Sequence, residues 1–253
     1  MNVKDILGYA PLIITEGGHG SNTSGKRTPK FNNGSYIQEY EFNKPTAQLF
    51  LDKAKEIGFE VLNVASETWD VGLSTRVRRA NGAYIKHVRK YPNVSKEKLV
   101  IYVSFHYNAQ DNSWGGTRGG IEVYYYKGAE DSKSLSEKIL NNLIKGTSQI
   151  NRGVKTADFY VLRKTSMTAV LIEAGFMDNL EEAKMMKDKK YQNEVAEETL
   201  TGCCEYIGIE YGNNKTEKEE VEIKSNELVE LANKVEQYEK AIGEIQDIIN
   251  SLK

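Results

Sequence analysis

The sequence predicts an α/β fold: a single, largely parallel, twisted sheet with helices on both faces, followed by a C-terminal helical coiled-coil segment. Five short apolar runs suited to buried strands alternate with amphipathic helical patterns, which predicts the sheet and its covering helices. After residue 210 the composition becomes polar and charged, which is typical of a linker. We therefore expect a folded domain over 1–210, a charged linker over 211–225 and an amphipathic helix over 226–253.

The five apolar runs have the length and the β-branched content of strands. They are "PLIIT" (11–15), "EVLNVA" (60–65), "LVIYVSF" (99–105), "GIEVYYY" (120–126) and "TAVLIE" (168–173). The stretch "YVLRKT" (160–165) fits either a further strand or an extended loop. Strands that alternate with helices usually pair in parallel, because a crossover helix is what connects two parallel neighbours.

Three helices are predicted between and after the strands. They cover "TAQLFLDKAKEIG" (46–58), "SKSLSEKILNNLIKG" (132–146) and much of 180–206. The first two end in glycine, the residue favoured just beyond a helix C-terminus. Pro45 indicates that the regular part of the first helix begins near Asn43, since proline is best tolerated in the first turn.

Composition excludes several classes of protein. With 39% hydrophobic and 28% charged residues, the 253-residue chain has an ordinary globular composition. Six lysines and ten acidic residues from Tyr211 onward give that segment a charge of −4, so the preceding body carries +2 of the total −2. A nucleic-acid-binding surface is far more basic, so we expect no nucleic-acid partner. A weakly positive body remains compatible with an anionic polymer as substrate.

Cysteine usage and hydropathy exclude further classes of protein, those with cysteine metal sites or disulfide frameworks and those that insert into a membrane. The two cysteines, Cys203 and Cys204, are adjacent, so we expect small apolar helix residues and neither a cysteine zinc cluster nor a disulfide framework. No stretch approaches the roughly 20 apolar residues of a membrane span, so membrane insertion is not expected. Asp5 interrupts what would be a signal-peptide core, which predicts synthesis in the cytoplasm without an export signal.

The C-terminal segment has an apolar residue every three or four positions. These residues are Leu228, Leu231, Val235, Tyr238, Ile242, Ile245, Ile249 and Leu252. Such spacing is typical of a coiled-coil seam and predicts self-association through 228–252. The alternative is a single amphipathic helix that packs on the body. The mixture of residues along the seam does not select a dimer over a trimer or a tetramer.

Three of the predicted strands end at side chains that can bind a metal or transfer a proton. These side chains are His19, His106 and Glu173. Ligands of an open α/β sheet bind beyond the carboxyl ends of its strands, so the three are expected at one site. Each also has a structural interpretation, as a hydrogen-bonded histidine or as a glutamate paired with a helix. The third histidine, His87, lies among basic residues and is interpreted as solvated surface.

Two neutral imidazoles favour zinc, which also needs a third protein ligand in a catalytic site. The segment "GSYIQEYEFNKPTAQLF" offers Glu39 and Glu41 shortly before a predicted helix. Their spacing alone does not choose between the two.

Several stretches together resemble the zinc-dependent N-acetylmuramoyl-L-alanine amidases of the Amidase_3 type, including the catalytic domains of phage endolysins that attack Gram-positive walls. They are "EGGHG" (16–20), "QEYEFNK" (38–44), "RVRRAN" (76–81), "VSFHYNA" (103–109), "NRGVKTADFYVLRKT" (151–165) and "AVLIEAGFMDN" (169–179). They follow the family's order and cover essentially residues 10–210.

Carried over by position, the resemblance implies that His19, Glu39 and His106 hold one Zn²⁺ and that Glu173 is the catalytic glutamate. A fourth metal ligand is the alternative role for Glu173. Glu16 stands where the family usually has aspartate, and we expect it to support the metal site from outside the ligand shell.

The resemblance also implies the reaction and the partner, which is bacterial peptidoglycan cut between N-acetylmuramic acid and L-alanine. The expected context is a phage or prophage endolysin, released when the phage opens the membrane. Alternatives are a mother-cell lytic amidase of sporulation, a zinc peptidase of the stem peptide, and a catalytically silent, multivalent wall-binding protein. The segment after residue 211 matches no wall-binding repeat.

Overall fold

Six strands form one sheet at the centre of the molecule. The computed structural model describes residues 2–115 and 118–211, and beyond these only Lys234, Tyr238 and Ile242. The strands are β1 (Leu12–Gly17), β2 (Glu60–Asn63), β3 (Val100–Asn108), β4 (Ile121–Tyr125), β5 (Asn151–Thr156) and β6 (Thr168–Phe176). The helices are α1 (Val3–Leu7), α2 (Tyr40–Glu56), α3 (Leu73–Lys90), α4 (Lys96–Leu99), α5 (Glu130–Gly146), α6 (Tyr160–Lys164), α7 (Leu180–Met185) and α8 (Lys189–Ile207).

The sheet is largely parallel, as predicted, but one of its five strand pairs is antiparallel, so the sheet is mixed. Its strand order is β2-β1-β3-β6-β4-β5. The pairs β1/β2, β1/β3, β3/β6 and β4/β5 are parallel, whereas β4 runs antiparallel to β6. The chain turns back after β3 through a loop instead of a crossover helix, so β4 enters the sheet in the opposite direction.

Both faces of the sheet are covered by helices, as predicted. On one face Phe105 of β3 packs edge-on against Phe50 of α2, with 5.4 Å between the ring centroids. On the other face Tyr102 and Leu171 belong to a buried apolar cluster with Val77 of α3 and Leu162 of α6. Because side chains alternate along a strand, β3 contributes to both layers.

Two elements, α3 and β5, are not predicted by the apolar pattern because their sequences are rich in charged and polar residues. In α3 the inward residues Val77 and Ala80 stand among five arginines and lysines on the outward side, and β5 is the partly exposed edge strand "NRGVKT". The stretch 160–165, expected to be a strand or a loop, is mostly the short helix α6, with Val161 and Leu162 buried. The helix predicted over 180–206 is two helices, α7 and α8.

Helix α2 begins at Tyr40, earlier than predicted, and contains Pro45 in its second turn. Proline has no N–H to donate to the carbonyl four residues earlier, which here belongs to Glu41. Gln192 of α8 donates a side-chain hydrogen bond to that Glu41 carbonyl at 3.3 Å. Gln192 therefore replaces the missing helical bond, and the helix runs from Tyr40 through Pro45.

His87 is a core residue of α3, so its interpretation as solvated surface is wrong. It is only 4% exposed, and its Nε2 atom lies 2.9 Å from the carbonyl oxygen of Ala10. Cys203 and Cys204 are buried residues of α8, as predicted. No helix in the described ranges combines the length and apolarity needed to cross a bilayer.

Contacts divide the chain into a unit Met1–Glu210 and a unit Tyr211–Lys253. The predicted linker and most of the predicted coiled coil lie outside the described residues. Of that segment only Lys234, Tyr238 and Ile242 are described, and all three are helical.

Candidate metal centre

Strands β1 and β3 deliver the two candidate histidines to the same edge of the sheet. The strands are parallel neighbours, with Gly17 opposite Phe105. The pairing continues past β1, because the Gly18 N–H donates to the Phe105 carbonyl at 2.9 Å. His19 then adopts a φ of +64°, the one positive φ at a non-glycine residue in the described ranges. This conformation carries a steric cost for residues with a Cβ, and it redirects the chain at the point where the imidazole is needed.

The glycines of "EGGHG" leave room for the site. A Cβ on Gly18 would lie 2.1 Å from Cε1 of His106, and one on Gly17 would lie 2.6 Å from the backbone of Asn43. Separations this short do not occur between real side chains and their neighbours. The glycines therefore allow β1 to pass directly beneath the His106 ring and against the start of α2.

Glu39 lies between the two imidazoles. Its Oε1 atom is 3.0 Å from Nδ1 of His106, and its Oε2 atom is 3.3 Å from Nε2 of His19. One potential ligand atom from each of the three side chains lies within 4.8 Å of the others. The Glu39 side chain is 2% exposed, whereas those of His19 and His106 are 19% and 15% exposed. The three predicted ligands thus form one cluster with its imidazoles reachable from solvent.

Two groups outside the cluster orient Glu39. The side-chain amide of Asn43, one helical turn along α2, donates to Glu39 Oε1 and to the carbonyl of Gly18, both at 3.0 Å. The backbone N–H of Tyr107 donates to the same Oε1 atom at 3.1 Å. Residues that hold a ligand in place in this way are part of how a protein fixes metal geometry.

The alternative third ligand, Glu41, faces away from the histidines. Its Oε1 accepts from the backbone N–H of Gln38 at 2.9 Å, and its Oε2 pairs with Lys187 at 2.9 Å. The structure therefore brings Glu39, and not Glu41, to His19 and His106.

Burial and mutual pairing set the charges of the three side chains. Burial lowers the pKa of His19 to about 4, although the Glu39 charge opposes this. Burial acts to raise the pKa of Glu39, but the hydrogen bond and charge of His106 outweigh it and lower the pKa to about 2. Burial acts to lower the pKa of His106, but the hydrogen bond and charge of Glu39 outweigh it and raise this pKa. The cluster thus combines a firmly ionised carboxylate with a neutral His19, the form in which histidine binds a metal.

Glu173 lies beside this cluster and is not one of its three members. In the sheet it is the direct neighbour of His106 on β6, so the two side chains are on the same face. Its Oε2 atom is buried without a hydrogen-bond partner in the described part of the chain. Burial raises the pKa of Glu173 to about 8, with the nearby Glu39 carboxylate adding to the rise and His106 opposing it.

A second carboxyl group, Glu122 of β4, is the neighbour of Glu173 on the other side. Arg152 and Lys155 each donate to its Oε1 atom at 2.5 Å, and the Tyr124 hydroxyl donates to its Oε2 atom. Burial acts to raise the pKa of Glu122, but these hydrogen bonds lower it overall. The pKa of Glu173 is therefore raised and that of the adjacent Glu122 is lowered. Such a difference between two neighbouring carboxyl groups is found where one of them transfers protons.

Glu16 forms a buried ion pair with Arg76 of α3 at 3.0 Å, and Ser104 donates to its other oxygen at 2.9 Å. It makes no hydrogen bond to His19, Glu39 or His106 in the described structure. The expected support of the metal site is therefore indirect: Glu16 acts on His106 through its charge, and its ion pair joins β1 to α3.

Sequence comparison assigns this arrangement to a family. The family model described as N-acetylmuramoyl-L-alanine amidase, Amidase_3, matches residues 13–205, which include all four candidate site residues. The chain belongs to the Amidase_3 family. The amidase activity that the resemblance implies, and the peptidoglycan hydrolase class, are thereby confirmed.

Individual relatives agree with this assignment. The chain is 30% identical to the N-acetylmuramoyl-L-alanine amidase LytC of Bacillus subtilis strain 168, over 77% of this chain and 35% of LytC. It is 33% identical to the endolysin of Bacillus phage SPP1, over 78% of this chain and 66% of the endolysin. Both relatives extend well beyond the matched part.

Solved structures share the fold. The crystal structure of N-acetylmuramoyl-L-alanine amidase from Clostridium difficile 630 superposes with a TM-score of 0.65 at 28% identity, over 78% of this chain and 97% of that one. The mixed sheet described above is therefore the fold of this family's catalytic domain.

Proposed function

We propose that this protein uses one zinc ion, held by His19, Glu39 and His106, to hydrolyse the amide bond between N-acetylmuramic acid and L-alanine. The observation that carries the proposal is the convergence of one ligand atom from each of these side chains within 4.8 Å. The donors also suit the ion, because two imidazoles and one carboxylate are a ligand set of catalytic zinc. When bound, zinc supplies Lewis-acid chemistry: it polarises a carbonyl and lowers the pKa of water.

Glu173 is the proposed acid–base group. Its buried oxygen without a hydrogen-bond partner is free to accept the proton of the attacking water. A pKa of about 8 suits a group that must first take a proton and then return it to the departing L-alanine nitrogen near neutral pH. The charge of a bound cation would lower this pKa from about 8 toward neutrality.

The remaining residues keep the reacting groups in position. Strand β3 fixes the backbone of His106, and Asn43 together with the Tyr107 N–H fixes Glu39. Arg152, Lys155 and Tyr124 hold Glu122 ionised, so that Glu173 is the carboxyl group of the pair that can exchange a proton. Such fixed geometry lowers the cost of reorganisation during the reaction.

We further propose an endolysin context, supported by the similarity to the endolysin of Bacillus phage SPP1. The proposed organisation keeps the catalytic domain at 1–210, the charged linker at 211–225 and a self-associating helix at 226–253. Tyr238 and Ile242, two residues of the proposed seam, are 69% and 60% exposed. Linked catalytic domains would raise the avidity for a polymeric wall.

The metal assignment is tested by measuring the zinc content and the activity of purified variants. His106→Ala is expected to lose zinc and hydrolysis while retaining most of its fold. Glu173→Gln is expected to retain zinc and to lose about 10²–10⁴-fold in kcat. Glu41→Gln is the matched control for zinc content, since this neighbouring carboxylate faces away from the cluster. Full zinc content and activity in His106→Ala would remove the proposal.

A further inference from the structure

A groove of about 540 Å³ crosses the outer side of α2, separate from the three-ligand cluster. Its floor is a stripe of α2 that includes Lys44, Pro45 and Gln48. One wall is the loop 63–68 after β2, and the other is the segment 187–192 at the start of α8. We call this feature the basic groove.

Three lysines and one glutamate line the basic groove, so it carries a net charge of +2. The lysines are Lys44, Lys187 and Lys189, and the acid is Glu41. Lys187 pairs with Glu41 at 2.9 Å, which leaves the charges of the other two lysines without a carboxylate in the groove. The groove is thus electrostatically suited to an anion.

Lys44 and Lys189 are held in place by neutral partners and retain donors for a ligand. Lys44 donates to the carbonyl of Ala65 at 2.8 Å, and Lys189 donates to the side chain of Gln192 at 3.0 Å. An ammonium group has three N–H donors, so each can still bind an oxyanion. Burial lowers the pKa of Lys44.

The basic groove begins next to the metal cluster. Tyr40 and Glu41, which line it, directly follow the ligand Glu39 along the chain. Thr68 on the opposite wall accepts a hydrogen bond at 2.9 Å from the N–H of Ser21, two residues after His19. The groove and the metal cluster are therefore joined through the start of α2 and through the loop that follows β1.

We propose that the basic groove binds the oxyanion groups of the cell-wall polymer that flank the bond to be cut. This inference rests on the proposed function for the identity of the polymer. Wall polymers offer one ligand chemistry from two sources: the carboxylates of the peptide stems and the phosphodiesters of chains attached to the glycan.

The test replaces Lys187 and Lys189 together by glutamine in the full-length, zinc-loaded protein. These exposed side chains touch none of the metal ligands, so the variant is expected to bind zinc as the wild type does. On intact walls we expect the half-saturating wall concentration to rise about 3–10-fold with kcat unchanged. The dependence of wall binding on salt should also weaken, because fewer ion pairs are screened.

The matched control is Lys96→Gln with Lys98→Gln. These two exposed lysines on α4 have the same spacing and the same charge, but they lie before β3, at the sheet edge opposite the metal cluster. The control is expected to bind walls as the wild type does. Equal losses of wall binding in both double variants, or no loss in the groove variant, would overturn the proposed role of the basic groove.

Walls treated with hydrofluoric acid, which removes phosphodiester-linked chains, distinguish the two sources. A persistent difference between wild type and groove variant assigns the stem carboxylates as ligand, and a vanished difference assigns the phosphodiesters. Failure of the wild type on a short soluble muramoyl peptide would count against the proposed amidase reaction. Failure of the groove variant to differ on walls would count against the groove alone.

Discussion

The residues around the metal cluster show how one sheet gives chemically similar side chains different roles. Glu173 and Glu122 are neighbours on adjacent strands, yet one has an oxygen without a partner and the other accepts from Arg152, Lys155 and Tyr124. The difference in pKa has two causes: burial raises the pKa of Glu173, whereas the hydrogen bonds of Glu122 outweigh burial and lower its pKa. This difference makes Glu173 the group able to exchange a proton.

Three of the four candidate residues were predictable because they stand at strand ends, and Glu39 was predictable from its family motif before α2. Sequence reasoning missed Asn43, although the four-residue spacing from Glu39 to Asn43 on a helix was a usable signal. It misplaced His87 because basic neighbours on the outward face of α3 conceal an inward-facing ring. Charge in the local sequence does not reveal on which side of a helix a given side chain lies.

The buried His87 leads to a pH prediction. Burial lowers its pKa below the ordinary 6.5, outweighing its hydrogen bond to Ala10 and the charge of Glu60, with Lys90 adding to the lowering. The unfolded chain therefore binds this proton first, and the stability due to neutral His87 is lost as the pH falls below 6.5 toward the folded-state pKa. His87→Gln removes that contribution.

Urea unfolding at pH 7.5 and pH 5.5 measures this effect, with both proteins free of metal. The free energy of unfolding is expected to fall less between the two pH values in His87→Gln than in the wild type. An identical fall in both proteins would show that His87 does not contribute to the pH dependence.

At the scale of secondary structure, the turn after β1 contains Gly18, whose backbone lies against the ring of the candidate ligand His106. Gly18→Ala places a methyl group where the His106 ring lies, at 2.1 Å from its Cε1 atom. We expect this variant to lose at least about 10-fold in zinc affinity, as found when the support of a ligand is disturbed. Competition with a chromogenic zinc chelator measures the affinity.

Gly82→Ala is the matched control for that experiment. Gly82 lies inside α3, and an added Cβ would meet nothing within 4 Å. Its zinc affinity should equal that of the wild type, with a gain in stability of up to about 1 kcal/mol from the better helix former. Unchanged zinc affinity in Gly18→Ala would contradict the account of the turn.

The contact of α3 with β1 depends on a buried ion pair. The side chains of Arg76 and Glu16 are 2% and 0% exposed, and Arg76 also donates to Asp70 at 2.5 Å. Arg76→Leu leaves the Glu16 charge buried without its partner, so we expect a loss of about 3–5 kcal/mol in the free energy of unfolding. Chemical denaturation measures this loss.

Arg79→Leu provides the comparison on the same helix. Arg79 pairs with Glu67 near the surface, where the two side chains are 40% and 20% exposed. Such pairs contribute less than about 1 kcal/mol. Equal losses in the two leucine variants would show that the Arg76 pair has no special structural importance.

Apolar strands were predictable, and polar or charged elements were not. Strands β1, β3 and β6 are buried on both faces and therefore appear as continuous apolar runs, whereas the edge strand β5 has no such run. The direction of β4 could not be predicted from the local apolar pattern either. This strand runs antiparallel to β6 because a loop, and not a helix, connects it to β3. Helix α2 extends past Pro45, where a distant residue, Gln192, donates a hydrogen bond to the freed Glu41 carbonyl.

At the scale of the whole molecule, the chain divides into the units Met1–Glu210 and Tyr211–Lys253. The proposed seam at 228–252 predicts that the full chain associates and that a version ending at residue 211 is monomeric. Light scattering coupled to gel filtration measures both masses over a range of concentrations. A full chain that remains monomeric at every concentration would leave the C-terminal segment without its proposed role.

The central claim is the cleavage of one particular amide bond by a metal-dependent site. Mass spectrometry of purified Gram-positive peptidoglycan after digestion, with and without a metal chelator, tests it most directly. We expect peptides with a free L-alanine amino terminus and intact glycan strands, absent with chelator and absent with Glu173→Gln. New termini within the stem peptide would instead indicate a peptidase, and no new termini from zinc-loaded protein would indicate a wall-binding protein without catalysis.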